Sequence, residues 1–176
     1  DELRVERISE GLEFELSGEG SEVVPRDETH LVIQAMRSTF EKVGLHGFPA
    51  LRLTAHNRIP HSRGMGSSAS AIVAGVAAAS GLLPEHAQLS RDQILQVASD
   101  LEGHPDNVAP SVYGSLSISW GELGDWRSLV VPVHSAVVPI VAVPDYEVST
   151  KLARSLIPAE IPHEQAAANS GRAALL

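Results

Sequence analysis

The stretch from Ile59 to Ser70, I-P-H-S-R-G-M-G-S-S-A-S, carries the strongest chemical signal in this chain of 176 residues. It follows an alternating run through Leu51, Leu53 and Ala55 and opens into a small, apolar helical run from Ala69 to Ala79. A Gly/Ser-rich loop at a helix N-terminus presents backbone N–H groups that no helix carbonyl can use. With the positive end of the helix dipole, those donors make a site for phosphate. Gly64 and Gly66 allow a sharp turn and a close approach to a ligand, since neither carries a Cβ. Ser67 and Ser68 add hydroxyls that can cap the helix or reach a cation on the phosphates. A phosphorylated ligand is expected here.

A second concentration lies at Leu101 to Pro110, L-E-G-H-P-D-N-V-A-P, with Glu102, His104, Asp106 and Asn107 close together at a predicted helix end. Carboxylates suit Mg²⁺, a hard cation that prefers oxygen and works beside phosphates. One carboxylate, one serine hydroxyl, phosphate oxygens and waters make an ordinary magnesium shell. By itself the cluster reads better as a polar helix end before a turn; the phosphate loop upstream is what calls for a cation site. Zinc is disfavoured, because there is no H-E-x-x-H and no cysteine.

Three kinds of phosphate loop compete for Ile59–Ser70. The Walker loop needs Gly-Lys-Ser/Thr, and the only lysines are Lys42 and Lys151. The dinucleotide pattern G-x-G-x-x-A is formally present at Gly64, Gly66 and Ala69. It wants a near-continuous apolar strand before it and an acid about 20 residues later at a strand end. Here the strand carries Arg52, His56, Asn57 and Arg58, and Glu85 follows Pro84 in a loop. The third pattern, P-x-x-x-G-x-G-S-S-A, is met without a gap by Pro60, Gly64, Gly66, Ser67, Ser68 and Ala69, and it resembles the phosphate loop of the GHMP kinases. E-G-H-P-D-N-V-A-P is similar to homoserine kinases rather than to GHMP kinases at large. So is V-P-D-Y-E-V-S-T-K-L-A-R-S-L-I-P from Val143 to Pro158, and V-P-R-D (Val24 to Asp27) and N-S-G-R-A-A-L-L also fall in register. The resemblance runs over most of the chain, without the family's N-terminal segment and C-terminal glycine-rich motif.

That resemblance implies roles. The stretch Pro60, His61, Ser62, Arg63, Gly64, Met65, Gly66, Ser67, Ser68, Ala69 and Ser70 would wrap the phosphates of ATP. Ser68 and Glu102 would hold Mg²⁺. His104, Asn107 and Thr150 would contact L-homoserine, with Asn107 orienting its δ-hydroxyl. Arg154 would grip the substrate carboxylate with its two-pronged guanidinium, a geometry a lysine cannot match. Asp106 is either a general base or dispensable as one, since phosphoryl transfer relies chiefly on positioning and charge stabilisation. For Arg63, phosphate and solvent both stand as destinations. The implied reaction is ATP- and Mg²⁺-dependent formation of O-phospho-L-homoserine, a step toward threonine. The rivals are another GHMP kinase (for mevalonate, galactose or a diphosphocytidyl-methylerythritol), a nucleotide-binding module without turnover, and a dinucleotide-binding oxidoreductase.

Bulk properties agree. With 43% hydrophobic residues and mean hydropathy near zero, the chain is globular. A net charge of −9 argues against nucleic acid as a partner. The absence of cysteine excludes disulfides and thiolate catalysis and fits a cytoplasmic protein. Ala69 to Leu83 is too short to span a bilayer, so no membrane partner is expected. A homodimer is compatible with the resemblance. A start at Asp1 and a stop within a helical run predict a fragment.

The elements that must position these residues read as follows. Strands are expected at Gly11–Leu16, Pro49–Asn57, Tyr113–Trp120, Leu129–Val133 and Val137–Val143, the last two as a hairpin through His134-Ser135-Ala136. Helices are expected at Thr29–Val43 (capped near Asp27 or Thr29), Ser67–Ala79, Arg91–Leu101 (capped by Ser90), Ser149–Leu156 and from His163 onward. The mixture favours α+β, and the resemblance specifies a GHMP-kinase fold. Its N-terminal ATP-binding domain, of the ribosomal protein S5 domain 2-like kind, would span residues 1–127. The start of a ferredoxin-like α/β-plait domain would span 128–176, with a seam at Gly121–Arg127.

Overall fold

The computed structural model describes residues 1–146 and 155–175. Two strands open it, β1 (Glu2–Arg7) and β2 (Leu12–Gly18), followed by α1 (Leu31–Lys42) and β3 (Leu51–Asn57). Next come α2 (Ser67–Gly81), a 3₁₀ turn at Glu85–Ala87, α3 (Arg91–Glu102) and α4 (Val108–Tyr113). A hairpin of β4 (Leu116–Glu122) and β5 (Asp125–Val131) follows, and α5 (His163–Ala173) stands near the end.

β3 is the centre of a three-stranded sheet, antiparallel to β1 and parallel to β2. Its period-two alternation explains why. Leu51, Leu53 and Ala55 are buried on one face, against Leu3 and Val5 of β1 and Phe14 and Leu16 of β2. The other face matches polar partners across the parallel pair: Arg52 donates to Glu13 (2.7 Å), Thr54 to Glu15 (3.2 Å), and Ser17 meets His56 (3.0 Å). A one-residue slip would put the carboxylates into the core, so the register is well specified.

α1 covers the buried face with Val32, Ile33, Ala35, Met36, Thr39 and Phe40. The helix starts two residues later than the expected Thr29. The cap differs too: His30 is the N-cap, its Nδ1 accepting from Val32 N at 3.2 Å. Asp27 instead closes the preceding turn, accepting from the Thr29 amide and hydroxyl. Both residues can accept at this helix entry, and burial of the His30 ring beside Phe14, 5.5 Å between centroids, decides in favour of histidine.

α2 lies against α1 at a contact that only glycine fits. A Cβ on Gly75 would stand 2.7 Å from the Val32 carbonyl oxygen and 2.9 Å from Ala35 Cβ. The small residues of α2 thus let it pack closely, as expected. α3 begins with a complete capping box between Ser90 and Gln93 and ends at Gly103 in the left-handed region. Leu95, Val97 and Ala98 join Ile72 and Val76 of α2 and Val108 and Ala109 of α4 in a second core. Ile94 is half-buried and Leu101 is exposed.

The second half differs most from expectation. β1 has no counterpart in the sequence reading, because its Leu3 and Val5 alternate with charges over too few residues to stand out. Tyr113 ends a short helix rather than starting a strand. β5 pairs with β4 across the two-residue turn Leu123-Gly124, not with Val137–Val143, which form no strand. The shorter loop closes at lower entropic cost and places the left-handed Gly124, φ 82°, where the turn needs it. The stretch read as a seam holds this hairpin turn, and β5 continues past residue 127. The helix expected at Ser149–Leu156 lies mostly outside the described residues. No helix among the described residues is long and apolar enough to cross a membrane.

Replacing Gly75 by valine should lower stability by about 1–3 kcal/mol through overpacking, read as a reduced urea midpoint with the slope unchanged. An undisturbed midpoint would mean that α1 and α2 are not in this contact.

Candidate active site

The phosphate loop leaves β3 and re-enters the fold at α2. Left-handed φ values occur at Ser62 (55°), Gly64 (70°) and Gly66 (76°). Such alternation turns successive amides toward one side, the arrangement of anion-binding concavities. Gly66 is the N-cap of α2 and has no side chain to offer. The first-turn amides are thus left for a ligand, and neither Ser67 nor Ser68 is the cap. No acid occupies the first turn of α2.

An acid arrives from another helix instead. Ser68 Oγ donates to Glu102 Oε1 at 2.6 Å. A carboxylate in the last turn of α3 is disfavoured by that helix's own dipole, and the positive end of α2 offsets this. Asn107 closes the other side: a Cβ on Gly66 would come within 3.3 Å of Asn107 Oδ1. Glu102 and Asn107 therefore both sit against the phosphate loop, joining the two stretches singled out in the sequence. His104 Nδ1 and Asp106 Oδ1 stand 2.5 Å apart, and Asp106 Oδ1 also accepts from the Asn107 amide at 2.8 Å. His104 is half-buried, while Asp106 and Asn107 are exposed.

Among the described residues no three or more His, Cys, Asp or Glu gather into a metal-binding group. A zinc-type cage is thus not formed by them. A hydroxyl and one carboxylate suit Mg²⁺, which keeps waters and takes phosphate oxygens. Arg63, within the loop, donates from Nη2 to the Asp145 carbonyl at 3.2 Å. Thr150 and Arg154 lie outside the described residues.

Two contributors escaped the sequence reading. Asp1 braces both ends of the loop: Oδ1 accepts from the Arg58 and Ile59 amides (2.8 and 3.1 Å) and Oδ2 from Ser70 Oγ (3.0 Å). A single acid at the chain start gave no signal for that. Next to Ser67 and Ser68 opens a cavity of about 220 Å³, walled by Val24, Pro25, His30, Asn57 and Ala71 among others. V-P-R-D was the one available sign of this wall.

Residues 30–115 match the family described as GHMP kinases N terminal domain. Over these residues the chain carries a GHMP-kinase N-terminal domain, with an α+β fold of that type. The relatives that it matches from end to end are homoserine kinases. That of Leifsonia xyli subsp. xyli is 50% identical over 177 residues, covering all of this chain and 54% of the relative. That of Streptomyces coelicolor is 44% identical over 178 residues, covering all of this chain and 57% of the relative. A crystal structure of homoserine kinase from Cytophaga hutchinsonii superposes with a TM-score of 0.70 at 25% identity, over 98% of this chain and 55% of that one. The chain spans about half the length of the curated relatives it matches.

Two outcomes are expected here. Gly66→Ala forces a Cβ into the left-handed region against Asn107, and should weaken nucleotide binding by about tenfold or more in calorimetry. Burial pushes the His30 imidazole below its usual value, and the Asp27 carboxylate opposes this only in part. The unfolded chain therefore takes up a proton on His30 before the folded one does. Stability is full above the unfolded value of about 6.5 and is lost as pH falls below it. Urea midpoints at pH 8 and pH 5 should show this drop, and His30→Asn, which caps without titrating, should flatten it.

Proposed function

We propose that the full-length protein transfers the γ-phosphoryl group of ATP to the δ-hydroxyl of L-homoserine, giving O-phospho-L-homoserine and ADP on the route to threonine. The meeting of Ser68 and Glu102 at the N-terminus of α2 carries this reading. Alignment of the whole of this chain with about half the length of homoserine kinases supports the substrate. A cytoplasmic site of action goes with such a reaction.

The amides from Pro60 to Ser70 cradle the phosphates, and the cavity behind Ser67 takes the nucleoside. Ser68 and Glu102 would hold Mg²⁺, which would supply positive charge to the phosphoryl groups. Asn107, facing the loop, orients the acceptor hydroxyl, and His104 contacts the rest of homoserine. Thr150 and Arg154 complete the substrate site, with Arg154 on the carboxylate. As the homoserine oxygen bonds to the γ-phosphorus, the bond to the bridging oxygen of ADP breaks and the hydroxyl proton passes to solvent water. Most of the rate comes from alignment and charge stabilisation. Asp106, engaged by His104 and the Asn107 amide, orients these two groups. A role as base would appear as a loss of about 10²–10⁴ in kcat on Asp106→Asn. We assign residues 1–127 to the nucleotide-binding domain, with the ferredoxin-like domain beginning near 128.

A second reading, Mg·ATP binding without turnover, applies to the 176-residue segment taken alone, since it spans about half of its relatives. ADP release should be measured for the full-length protein with homoserine, mevalonate and galactose. Homoserine is expected to be preferred, and activity with another alcohol alone would end the substrate assignment. Glu102→Gln should cut kcat and raise the Mg²⁺ requirement. Arg154→Lys should raise the KM for homoserine about tenfold or more with a smaller change in kcat.

A further inference from the structure

α3, which carries Glu102 in its last turn, is bound on other sides by polar contacts that the proposed chemistry leaves unused. Gln96 pairs with the backbone of Trp126 in β5: its Nε2 donates to the carbonyl at 2.5 Å and its Oε1 accepts from the amide at 2.8 Å. One turn later, Asp100 Oδ1 accepts from Trp126 Nε1 (2.9 Å) and from the Gly124 amide (3.0 Å). Its Oδ2 accepts from Lys42 Nζ at the end of α1, at 2.5 Å. The Asp100 side chain is 16% exposed. Three donors from α1 and the hairpin thus converge on one nearly buried carboxylate, two residues before Glu102.

Such a cluster is a poor way merely to gain stability. Removing a carboxylate from water costs several kcal/mol, and well-packed apolar side chains often do as well or better. Directed hydrogen bonds do what apolar contact does not: they fix rotation and axial position together. Residues two apart on a helix face different ways. A turn fixed through Asp100 therefore aims Glu102 elsewhere, toward Ser68.

We propose that Asp100, with Gln96 and Trp126, is a positioning group for phosphoryl transfer: it locks the last turn of α3 so that the Glu102 carboxylate stands opposite Ser68. This rests on the reading that Glu102 and Ser68 hold the cation of Mg·ATP.

The test uses the full-length protein and calorimetric affinities for Mg·ATP and for ATP in EDTA, beside thermal melting. Trp126→Phe keeps the ring and the Gln96 pairing but deletes the donor to Asp100. Asp100→Asn weakens all three bonds, and Lys42→Met removes one. Trp126→Phe and Asp100→Asn should each weaken Mg·ATP binding about tenfold, with Mg²⁺-free ATP binding within about twofold of the parent. Lys42→Met should act in the same direction to a smaller extent. Should Asp100→Asn fail to fold, Trp126→Phe decides alone. Lower melting temperature with unchanged Mg·ATP affinity would overturn the inference, as would equal loss for ATP with and without Mg²⁺. Glu102→Gln is the control: if it leaves Mg·ATP affinity unchanged, the underlying cation reading fails rather than the positioning role.

Discussion

The hydrogen bond from Ser68 to Glu102 joins the start of one helix to the end of another, and the arrangement of the remaining chain serves to make that meeting possible. Two helix ends of opposite partial charge face each other across it. The N-terminus of α2 lacks an acid of its own and a side-chain cap, so its amides and dipole are directed outward. Glu102 supplies the missing anion from α3. A carboxylate, a hydroxyl and the uncapped amides of a helix N-terminus thus share one small volume, which is what the proposed function draws on.

Holding that volume open requires three supports. The sheet fixes where the loop departs, since Leu51, Leu53 and Ala55 of β3 anchor the strand in the core. The Gly75 contact fixes how closely α2 approaches α1. The hairpin and α1, acting through Asp100, fix α3. Apolar burial supplies most of the driving force in the first two, whereas the third is polar and directional. Exposed ion pairs such as Arg4–Glu6 add little to any of them.

Much of the site was readable because its chemistry is concentrated in short segments. Gly64 and Gly66 are needed for backbone conformations that few residues adopt, and Glu102, His104, Asp106 and Asn107 crowd a helix end. The long helices were readable for a related reason: Ser90 with Gln93 and the terminal Gly103 are local signals. What escaped depends on distant partners. β1 is a strand because β3 offers it an edge, and Asp1 matters because the chain returns to it some 60 residues later. Val137–Val143 has a strand's composition without a strand's partner: Ile140 is 95% exposed, and the competing turn at Leu123-Gly124 takes β5 for β4. Trp126 looked like part of a linker and proved to be the docking point of a hairpin.

By itself, the sequence determined the place of the glycine-rich loop, the helix that follows it and the polar cluster downstream. All of these follow from residue type and spacing within a few turns of chain. Only the tertiary structure decided that Asn107 lies beside Gly66, that His30 caps α1, and that Arg63 reaches Asp145. The physical reason is that direction and distance between helices are set by how side chains pack and which buried polar groups find partners. Those outcomes depend on residues far apart in the chain, and no local pattern encodes them.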